Sequence, residues 1–310
     1  VTATHTHAGP GHFFENKRLG GATSSHYPGF DPGLVDYLAD RIAQAVVLAY
    51  RDRAHAELRW VGTHLWGIAQ NGELDALRLN VPGVELPDPT VELAPEAGPH
   101  PALALTEEQR AIDPSLRVVE FRRADTRAAI GSIAFYAMHP TVIGNQNQHF
   151  GGDAYGVAAR RIERELVIES TAGAAPVARS SEGELDPVAA AAAGRPVPVH
   201  AIINTNQADA SPARAMGNEP DATRKGEALA WAIWTAHTGT RRPNPDVPGA
   251  DLVAEPTQGA WDDEPIVGSR YLDAYLPRAL LRDDLGSDAP ASERTLCEQS
   301  AMGYPATRGA

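Results

Sequence analysis

The sequence predicts an α/β fold with a mixed β-sheet core flanked by helices. Stretches typical of strands alternate along the chain with stretches typical of helices, which is the pattern of α/β proteins. One pair of predicted strands, within residues 116–141, follows directly as a hairpin, and hairpin strands are antiparallel. Hydrophobic residues make up 43% of the 310 residues, which is enough for a globular core. A sheet with both parallel and antiparallel pairs accounts for these observations together.

The first predicted elements are a strand and a long helix. In the opening VTATHTH every second residue is a threonine, so a strand would place His5 and His7 on one face. The AGPG that follows predicts a loop. Residues 30–54 predict a helix with Asp31 as its N-cap and Pro32 at its first position. Its apolar stripe consists of Leu34, Leu38, Ile42 and Val46.

The middle of the chain predicts a strand, a loop and the hairpin. Residues 56–69 are typical of a strand, and the proline-rich residues 82–101 are typical of a loop. The hairpin has its predicted turn near Ala124–Asp125. Its second strand runs into His139, and Pro140 ends it.

The last predicted elements are two helices and a strand. A helix is expected over residues 153–166 with Asp153 as its cap, a strand over 197–205, and a further helix over 222–238. Residues 171–196 are alanine-rich and low in complexity, which predicts a surface insertion. Beyond about residue 240 the sequence predicts mostly loop with weak strands, and we find neither an internal repeat nor a domain boundary.

Composition excludes several classes of protein. A net charge of −13 without a dense basic cluster argues against a nucleic-acid partner. No stretch approaches the ~18 consecutive apolar residues of a transmembrane segment. The single cysteine, Cys297, excludes an internal disulfide framework and a cysteine-based zinc site within these residues.

Reactive polar residues follow three of the predicted strands. They are His5 and His7, then His139, then Asp209 and Ser211. Sites in α/β proteins form where the carboxyl ends of strands meet, so these residues are candidates for one site. A His-x-His pair suits zinc, because imidazole is a common metal ligand. Each group also has a structural alternative: His5 and His7 as a hydrogen-bonded pair, His139 as a core histidine, and Asp209 and Ser211 as the cap of a turn. No G-x-S-x-G elbow surrounds Ser211, so the sequence does not support an α/β-hydrolase serine.

Five blocks resemble one family in order and approximate spacing. They read THTHAGPG, FDPGLVDYLADRI, YAMHPT, GGDAYGVA and NQADASP. Together they resemble the neutral/alkaline (non-lysosomal) ceramidases. The resemblance runs from Val1 to about residue 265, where QGAWDDEP is similar to a further family block.

The resemblance implies a zinc-dependent amidohydrolase that cleaves the N-acyl bond of ceramide, giving a fatty acid and an amine. By position, the family's zinc histidines fall on His5 and His139. The neighbouring catalytic histidine, which handles a proton, falls on His7. The active-site serine falls on Ser211, as a nucleophile or as a substrate-binding hydroxyl. A lipid-like N-acyl substrate and a secreted or periplasmic location are implied in the same way.

The resemblance also bears on how much of the family's domain is present. The family's remaining zinc ligands, a glutamate and a tyrosine, would lie beyond residue 310. The chain begins with Val1 inside a predicted strand and without an initiator methionine. We therefore expect residues 1–310 to be a single ceramidase-like catalytic domain that is incomplete at both ends.

The sequence departs from the family at three positions that matter. Gly72 stands where the family has an active-site arginine, and Glu73 follows it; His12 replaces a glycine and Ala213 an asparagine. We still expect a metal centre, because its histidines are present. The changed residues bear instead on the substrate, which need not be ceramide. Two alternatives therefore stay open: a related hydrolase acting on another amide or ester, and a non-catalytic binding protein with an incomplete metal site.

Overall fold

The computed structural model describes the part of the chain that carries most of the predicted elements. The described residues are 3–15, 29–93, 101–144, 147, 149–170, 197–213, 218–241, 246–247 and 249–262. All of them fall within the unit Val1–Pro265. The predicted surface insertion at 171–196 and the cysteine at position 297 lie outside the described residues.

Helices and strands alternate through the described ranges. The helices are α1 (Pro32–Arg51), α2 (Leu74–Asn80), α3 (Thr90–Leu93), α4 (Glu107–Arg110), α5 (Asp153–Ser170) and α6 (Glu219–Thr238). The strands are β1 (Ala56–His64), β2 (Ala69–Asn71), β3 (Ser115–Arg123), β4 (Ala129–Tyr136), β5 (Val199–Asn204), β6 (Ala210–Pro212) and β7 (Thr257–Gln258). Within these ranges, no helix combines the length and the apolar character needed to cross a bilayer.

The main sheet is mixed, which confirms the predicted fold class. Its strand order is β5–β4–β3–β1–β7, and β2 pairs with β6 in a separate two-stranded sheet. Strand β3 runs antiparallel to β1 and β4, whereas β4 and β5 are parallel. Strands β1, β4 and β5 therefore point in the same direction. Their carboxyl ends meet at one edge of the sheet, which we call the carboxyl edge.

The hairpin formed by β3 and β4 has the turn that the sequence predicts. The backbone N–H of Arg127 donates to the carbonyl of Arg123, which closes the turn around Ala124–Asp125. The second strand ends at Tyr136, three residues before His139. The histidine therefore lies in the loop that follows the strand rather than in the strand itself.

Helices α5 and α6 pack against each other and against one face of the main sheet. Gly226 of α6 makes their close approach possible, because a Cβ there would lie 2.5 Å from the Cβ of Val157 and 2.7 Å from the carbonyl oxygen of Ala154. The fully buried side chains of this core include Leu65, Leu116, Val118, Tyr136, Met138, Tyr155, Ile162, Leu229 and Ile233.

Helix α1 begins as predicted but does not bury its stripe. The carboxylate of Asp31 accepts a hydrogen bond from the backbone N–H of Leu34, and Pro32 is the first helical residue. No residue of α1 is buried, and Ile42 and Val46 are 49% and 61% exposed. Sequence periodicity defines the apolar face of a helix, but it does not show what covers that face.

Two further local predictions are wrong, and one short strand is not predicted. Residues 3–6 are irregular rather than a strand, because His5 adopts a left-handed φ of 66° that a strand cannot contain. The predicted proline-rich loop contains the short helix α3. The polar stretch around Ser211 contains the short strand β6, which pairs with β2.

His200 on β5 is a buried imidazole with one partner on the neighbouring strand. It is 4% exposed, and its Nδ1 lies 2.7 Å from the hydroxyl of its register partner, Ser132. Burial lowers the pKa of His200 from 6.5 to about 4. The folded protein therefore binds fewer protons at this residue than the unfolded chain between these two pH values.

We expect stability to fall as the pH decreases from about 6.5 to about 4, by up to about 3 kcal/mol from His200 alone. The His200→Leu variant should lose this component of the pH dependence. The Ser132→Ala variant loses the hydrogen bond but keeps the imidazole, so it should retain the dependence. Urea unfolding at several pH values measures the free energy of unfolding. An identical pH dependence in wild type and His200→Leu would contradict the assignment.

Candidate metal centre

Three histidines from two distant segments come together at the carboxyl edge. The ring centroids of His5 and His7 are 5.1 Å apart, and His139 lies 4.5 Å from His5 and 5.2 Å from His7. The Nε2 atoms of His7 and His139 are 3.3 Å apart. One ring nitrogen from each of the three lies within 4.8 Å of the others. The structure therefore brings the three predicted histidines into one cluster, which we call the histidine cluster.

The N-terminal histidines lie on a loop that is held by the segment preceding α5. The backbone N–H of Gly151 donates to the carbonyl of Ala8 at 2.9 Å. The hydroxyl of Thr6 donates to the carbonyl of Gly151 at 3.3 Å. Because Thr6 lies between His5 and His7, these bonds fix the stretch that carries both imidazoles.

Backbone hydrogen bonds hold His139 in the loop that follows β4. Its N–H donates to the carbonyl of Ala210 on β6 at 2.7 Å, and its own carbonyl accepts from Thr141 at 2.8 Å. The loop that follows is fixed by Asp153, whose carboxylate accepts from the N–H of Ile143 at 2.8 Å. These contacts order the loop that carries His139.

The electrostatic surroundings favour neutral imidazoles. The pKa of His7 is lowered, first by burial and then by the neighbouring His5, while Asp153 acts in the opposite direction. The pKa of His139 is lowered by burial and then by His5 and His7. A lowered pKa keeps these rings unprotonated near neutral pH, and the unprotonated ring is the form that binds a metal ion.

The donors of the histidine cluster fit a zinc ion. Zinc binds imidazole nitrogen at about 2.0–2.1 Å in tetrahedral geometry, which separates two ligand nitrogens by about 3.3 Å. The Nε2 atoms of His7 and His139 are 3.3 Å apart. Catalytic zinc commonly takes three protein ligands and one water. The separation of these two atoms therefore suits a pair of nitrogens at one ion, whereas the resemblance implies an acid–base role for His7.

A backbone hydrogen bond links the residue before Ser211 to the histidine cluster. Ser211 directly follows Ala210, whose carbonyl accepts from the N–H of His139. On β6 it is the register partner of Gln70. Its hydroxyl lies so close to Gly72 that a Cβ on this glycine would be 2.9 Å from the Ser211 oxygen. The position at which the resemblance places the family's arginine thus adjoins Ser211 directly.

The predicted residue Asp209 has a structural role beside Ser211. Its carbonyl accepts from the N–H of Gly72 at 2.7 Å, and its carboxylate accepts from the side-chain amide of Asn71 at 3.0 Å. Asn71 is buried and also donates to the carbonyl of Ala111. The sequence gives no sign of this bridge, because an asparagine before a glycine is equally typical of a simple turn.

Sequence reasoning missed two residues that support the site. One is Asn204, whose side chain bonds to the backbone of Thr4 and Met138. The other is Asp153, which the sequence assigns only to helix capping. Asp153 is the first residue of α5, has a φ of 55°, and is 3% exposed. Its carboxylate accepts from the N–H groups of both Ala154 and Ile143. The sequence signal for this role is weak: a single aspartate after two glycines.

The fold and the site together define an α/β protein with a candidate metal centre of three histidines at the carboxyl edge of a mixed sheet. Residues 1–228 match the family described as neutral/alkaline non-lysosomal ceramidase, N-terminal. The match covers well over half of the 310 residues, and the chain belongs to this family.

Individual relatives agree with the family match. A neutral ceramidase of Mycobacterium tuberculosis H37Rv is 29% identical over 212 residues, which cover 68% of this chain and 26% of the relative. The crystal structure of neutral ceramidase from Pseudomonas aeruginosa matches with a TM-score of 0.52 and 20% identity, over 76% of this chain and 30% of that one. A ceramidase solved in complex with C2 gives a TM-score of 0.51, 19% identity and the same coverages. At these identities the two structures support the fold alone.

The chain spans only part of the length of these relatives. It covers 26% of the mycobacterial protein and 30% of each of the two solved structures. The fold and the family membership follow from the matched residues. The activity of the whole relatives is a separate question.

We expect His5→Ala and His139→Ala to lower the zinc content of the protein from about one ion per chain towards zero, because each removes one donor of the cluster. His149→Ala is the matched control: this histidine is exposed, lies in the nearby loop and is outside the cluster. Elemental analysis after dialysis against zinc makes the measurement. Wild-type zinc content in both cluster variants would contradict the site.

The contact between Gly72 and Ser211 predicts a non-additive pair of substitutions. Gly72→Ala should displace the Ser211 hydroxyl and lower turnover, because the added Cβ would lie 2.9 Å from that oxygen. In a Ser211→Ala background the same change should cost much less, since the nearest remaining side-chain atom is the Cβ of residue 211 at 3.8 Å. Turnover of the four members of this double-mutant cycle tests the contact. Strictly additive losses would refute it.

Proposed function

We propose that this protein is a zinc-dependent amidohydrolase that cleaves the N-acyl amide bond of ceramide or a related N-acyl lipid. The products are a fatty acid and an amine. One observation carries the proposal: in a chain of the ceramidase family, His5, His7 and His139 converge at the carboxyl edge with their ring nitrogens in reach of a single ion. A secreted or periplasmic location is part of the same proposal and rests on the family alone.

His5 and His139 are the proposed zinc ligands. Zinc supplies a nucleophile at neutral pH by lowering the pKa of a bound water from about 15.7 towards about 7. The chain's part is to hold neutral imidazole nitrogens at the ion, which the lowered pKa of His139 favours. The resemblance implies a glutamate and a tyrosine as further ligands, which would complete the coordination.

His7 is the proposed acid–base residue. Hydrolysis adds water across the amide, so one proton must reach the nitrogen of the departing amine. Burial and the neighbouring His5 lower the pKa of His7, so the ring is neutral near pH 7 and able to accept a proton before passing it on. The centroid of its ring lies 5.1 Å from that of His5 and 5.2 Å from that of His139, so His7 is adjacent to both proposed ligands.

Ser211 is proposed to position the substrate rather than to attack it. A serine nucleophile needs a base within hydrogen-bond reach and a turn that exposes its hydroxyl. Ser211 instead lies on the short strand β6, with its hydroxyl above Gly72. Its place directly after the residue that holds His139 suits a hydroxyl that aligns the amide with the histidine cluster.

The surroundings of Gly72 favour a second candidate, a hydrolase of the same chemistry acting on a different N-acyl substrate. The family's arginine is missing here, and Glu73, a carboxylate, follows the exposed glycine. Loss of a cation next to Ser211 removes an anchor for a polar head group. Assay of the full-length protein on long-chain ceramide and on other N-acyl amines distinguishes the two, since efficient ceramide turnover favours the first.

Substitution of His7 tests the proposed division of roles. His7→Ala should retain most of the zinc and lose about 10²–10⁴-fold in turnover, because proton transfer by a positioned residue contributes about that much. His5→Ala should lose zinc and turnover together. The measurement pairs elemental analysis with steady-state kinetics, and His149→Ala again serves as the control. If His7→Ala lost zinc as completely as His5→Ala, His7 would be a ligand instead.

A further inference from the structure

One side chain joins the two segments that carry the histidine cluster. Asn204 is the last residue of β5, at the carboxyl edge and beside β4. Its amide nitrogen donates to the carbonyl of Thr4 at 3.2 Å. Its amide oxygen accepts from the backbone N–H of Met138 at 3.4 Å. Thr4 precedes His5, and Met138 precedes His139.

The N-terminal loop depends on such contacts because no strand pairing holds it. Residues 3–6 belong to no strand, so ladder hydrogen bonds do not set their position. Two side-chain hydrogen bonds tie them to distant parts of the chain: Asn204 donates to Thr4, and Thr6 donates to Gly151. Of these two, only the Asn204 bond is made by a residue that also holds the backbone next to His139.

The amide group is suited to this bridge because it donates and accepts at once. A carboxylate at this position would accept from Met138 but would face the Thr4 carbonyl without a proton to donate. An aliphatic side chain would make neither bond and would leave the Thr4 carbonyl and the Met138 N–H without this partner. The geometry therefore selects asparagine.

Tyr155 of α5 supports the bridge from the core. Its hydroxyl lies 3.2 Å from the amide oxygen of Asn204 and 3.0 Å from the carbonyl of Tyr136. Burial raises the pKa of Tyr155 above its usual value, so the hydroxyl keeps its proton and acts as a donor. The Asn204 oxygen is thereby oriented towards the end of β4, and its nitrogen towards the N-terminal loop.

We propose that Asn204 is the positioning residue of the histidine cluster: it sets the separation between His5 and His139 and hence the affinity for metal. The proposal extends the metal role proposed above for these histidines. Residues that orient metal ligands typically contribute about 10–100-fold to metal affinity. The role is one of positioning, since Asn204 acts through the backbone next to the ligands.

Zinc affinity of the full-length protein, measured by competition with a chromophoric chelator, tests the proposal. Asn204→Leu should weaken zinc binding by about 10–100-fold. Asn204→Asp should also weaken it, because the tie to Thr4 is lost although the Met138 bond remains possible. Thr63→Val is the matched control: it removes a buried hydrogen bond of 2.7 Å to Ala254 and should lower stability without changing zinc affinity.

A second measurement is independent of metal and separates this proposal from the proposed function. Hydrogen–deuterium exchange of the metal-free protein should be faster in Asn204→Leu at residues 3–9 and at Met138, and unchanged there in Thr63→Val. Unchanged exchange and unchanged zinc affinity in Asn204→Leu would overturn the proposal. A wild-type protein that bound no zinc would contradict the proposed function, whereas the exchange result would still decide whether Asn204 joins the two segments.

Discussion

The parallel pairing of β4 with β5 is the constraint on which the candidate site depends. Parallel neighbours end at the same edge of a sheet, so residues that follow β4 and β5 are brought together although about 65 positions separate them in sequence. His139 follows β4, and Asn204 ends β5. A parallel pair also needs a crossover, and α5 lies in this connection and packs on the sheet. The crossover helix begins at Asp153, whose carboxylate fixes the loop after His139.

The close packing of α5 and α6 keeps this edge in place. Small residues line their contact, and Gly226 lets the two backbones approach to a distance that any side chain would prevent. The hydroxyl of Tyr155 on α5 lies within hydrogen-bond distance of the Tyr136 carbonyl and of the Asn204 amide oxygen, at the ends of β4 and β5. Core packing and site geometry are therefore connected through one buried hydroxyl. A change that moved α5 would also move the support of the histidine cluster.

Much of the fold could be predicted from the sequence, because its strongest elements carry local signals. The hairpin has two stretches rich in apolar residues separated by a polar turn, and α1 has its aspartate cap and its first-position proline. The mixed sheet followed from one hairpin within an alternating pattern. What covers α1 could not be predicted, because the apolar stripe around Ile42 does not specify a partner.

The N-terminal segment shows how a wrong element can still lead to the right cluster. Alternating threonines predict a strand, but strand formation requires a partner, and Ala3–Thr6 pairs with none in the described structure. His5 instead turns through a left-handed conformation. The ring centroids of His5 and His7 are nevertheless 5.1 Å apart, so the two imidazoles are neighbours, as the predicted strand would also have made them. The loop is ordered by contacts to residues about 145 and 200 positions away, which no local pattern reveals.

The least predictable part of the site is the region where Ser211 meets Gly72. Two short strands, β2 and β6, bring these residues together, and three-residue strands leave little periodicity to detect. Asn71 and Asp209 close the arrangement through their side chains. A side chain at residue 72 would need the space that the Ser211 hydroxyl occupies, because its Cβ would lie 2.9 Å from that oxygen. The histidine cluster lies at the carboxyl ends of β4 and β5, whereas Ser211 and Gly72 depend on a small two-stranded bridge beside them. This bridge also reaches the histidine cluster, because the carbonyl of Ala210 on β6 accepts from the N–H of His139. A substitution that shifted β6 would therefore move both Ser211 and His139.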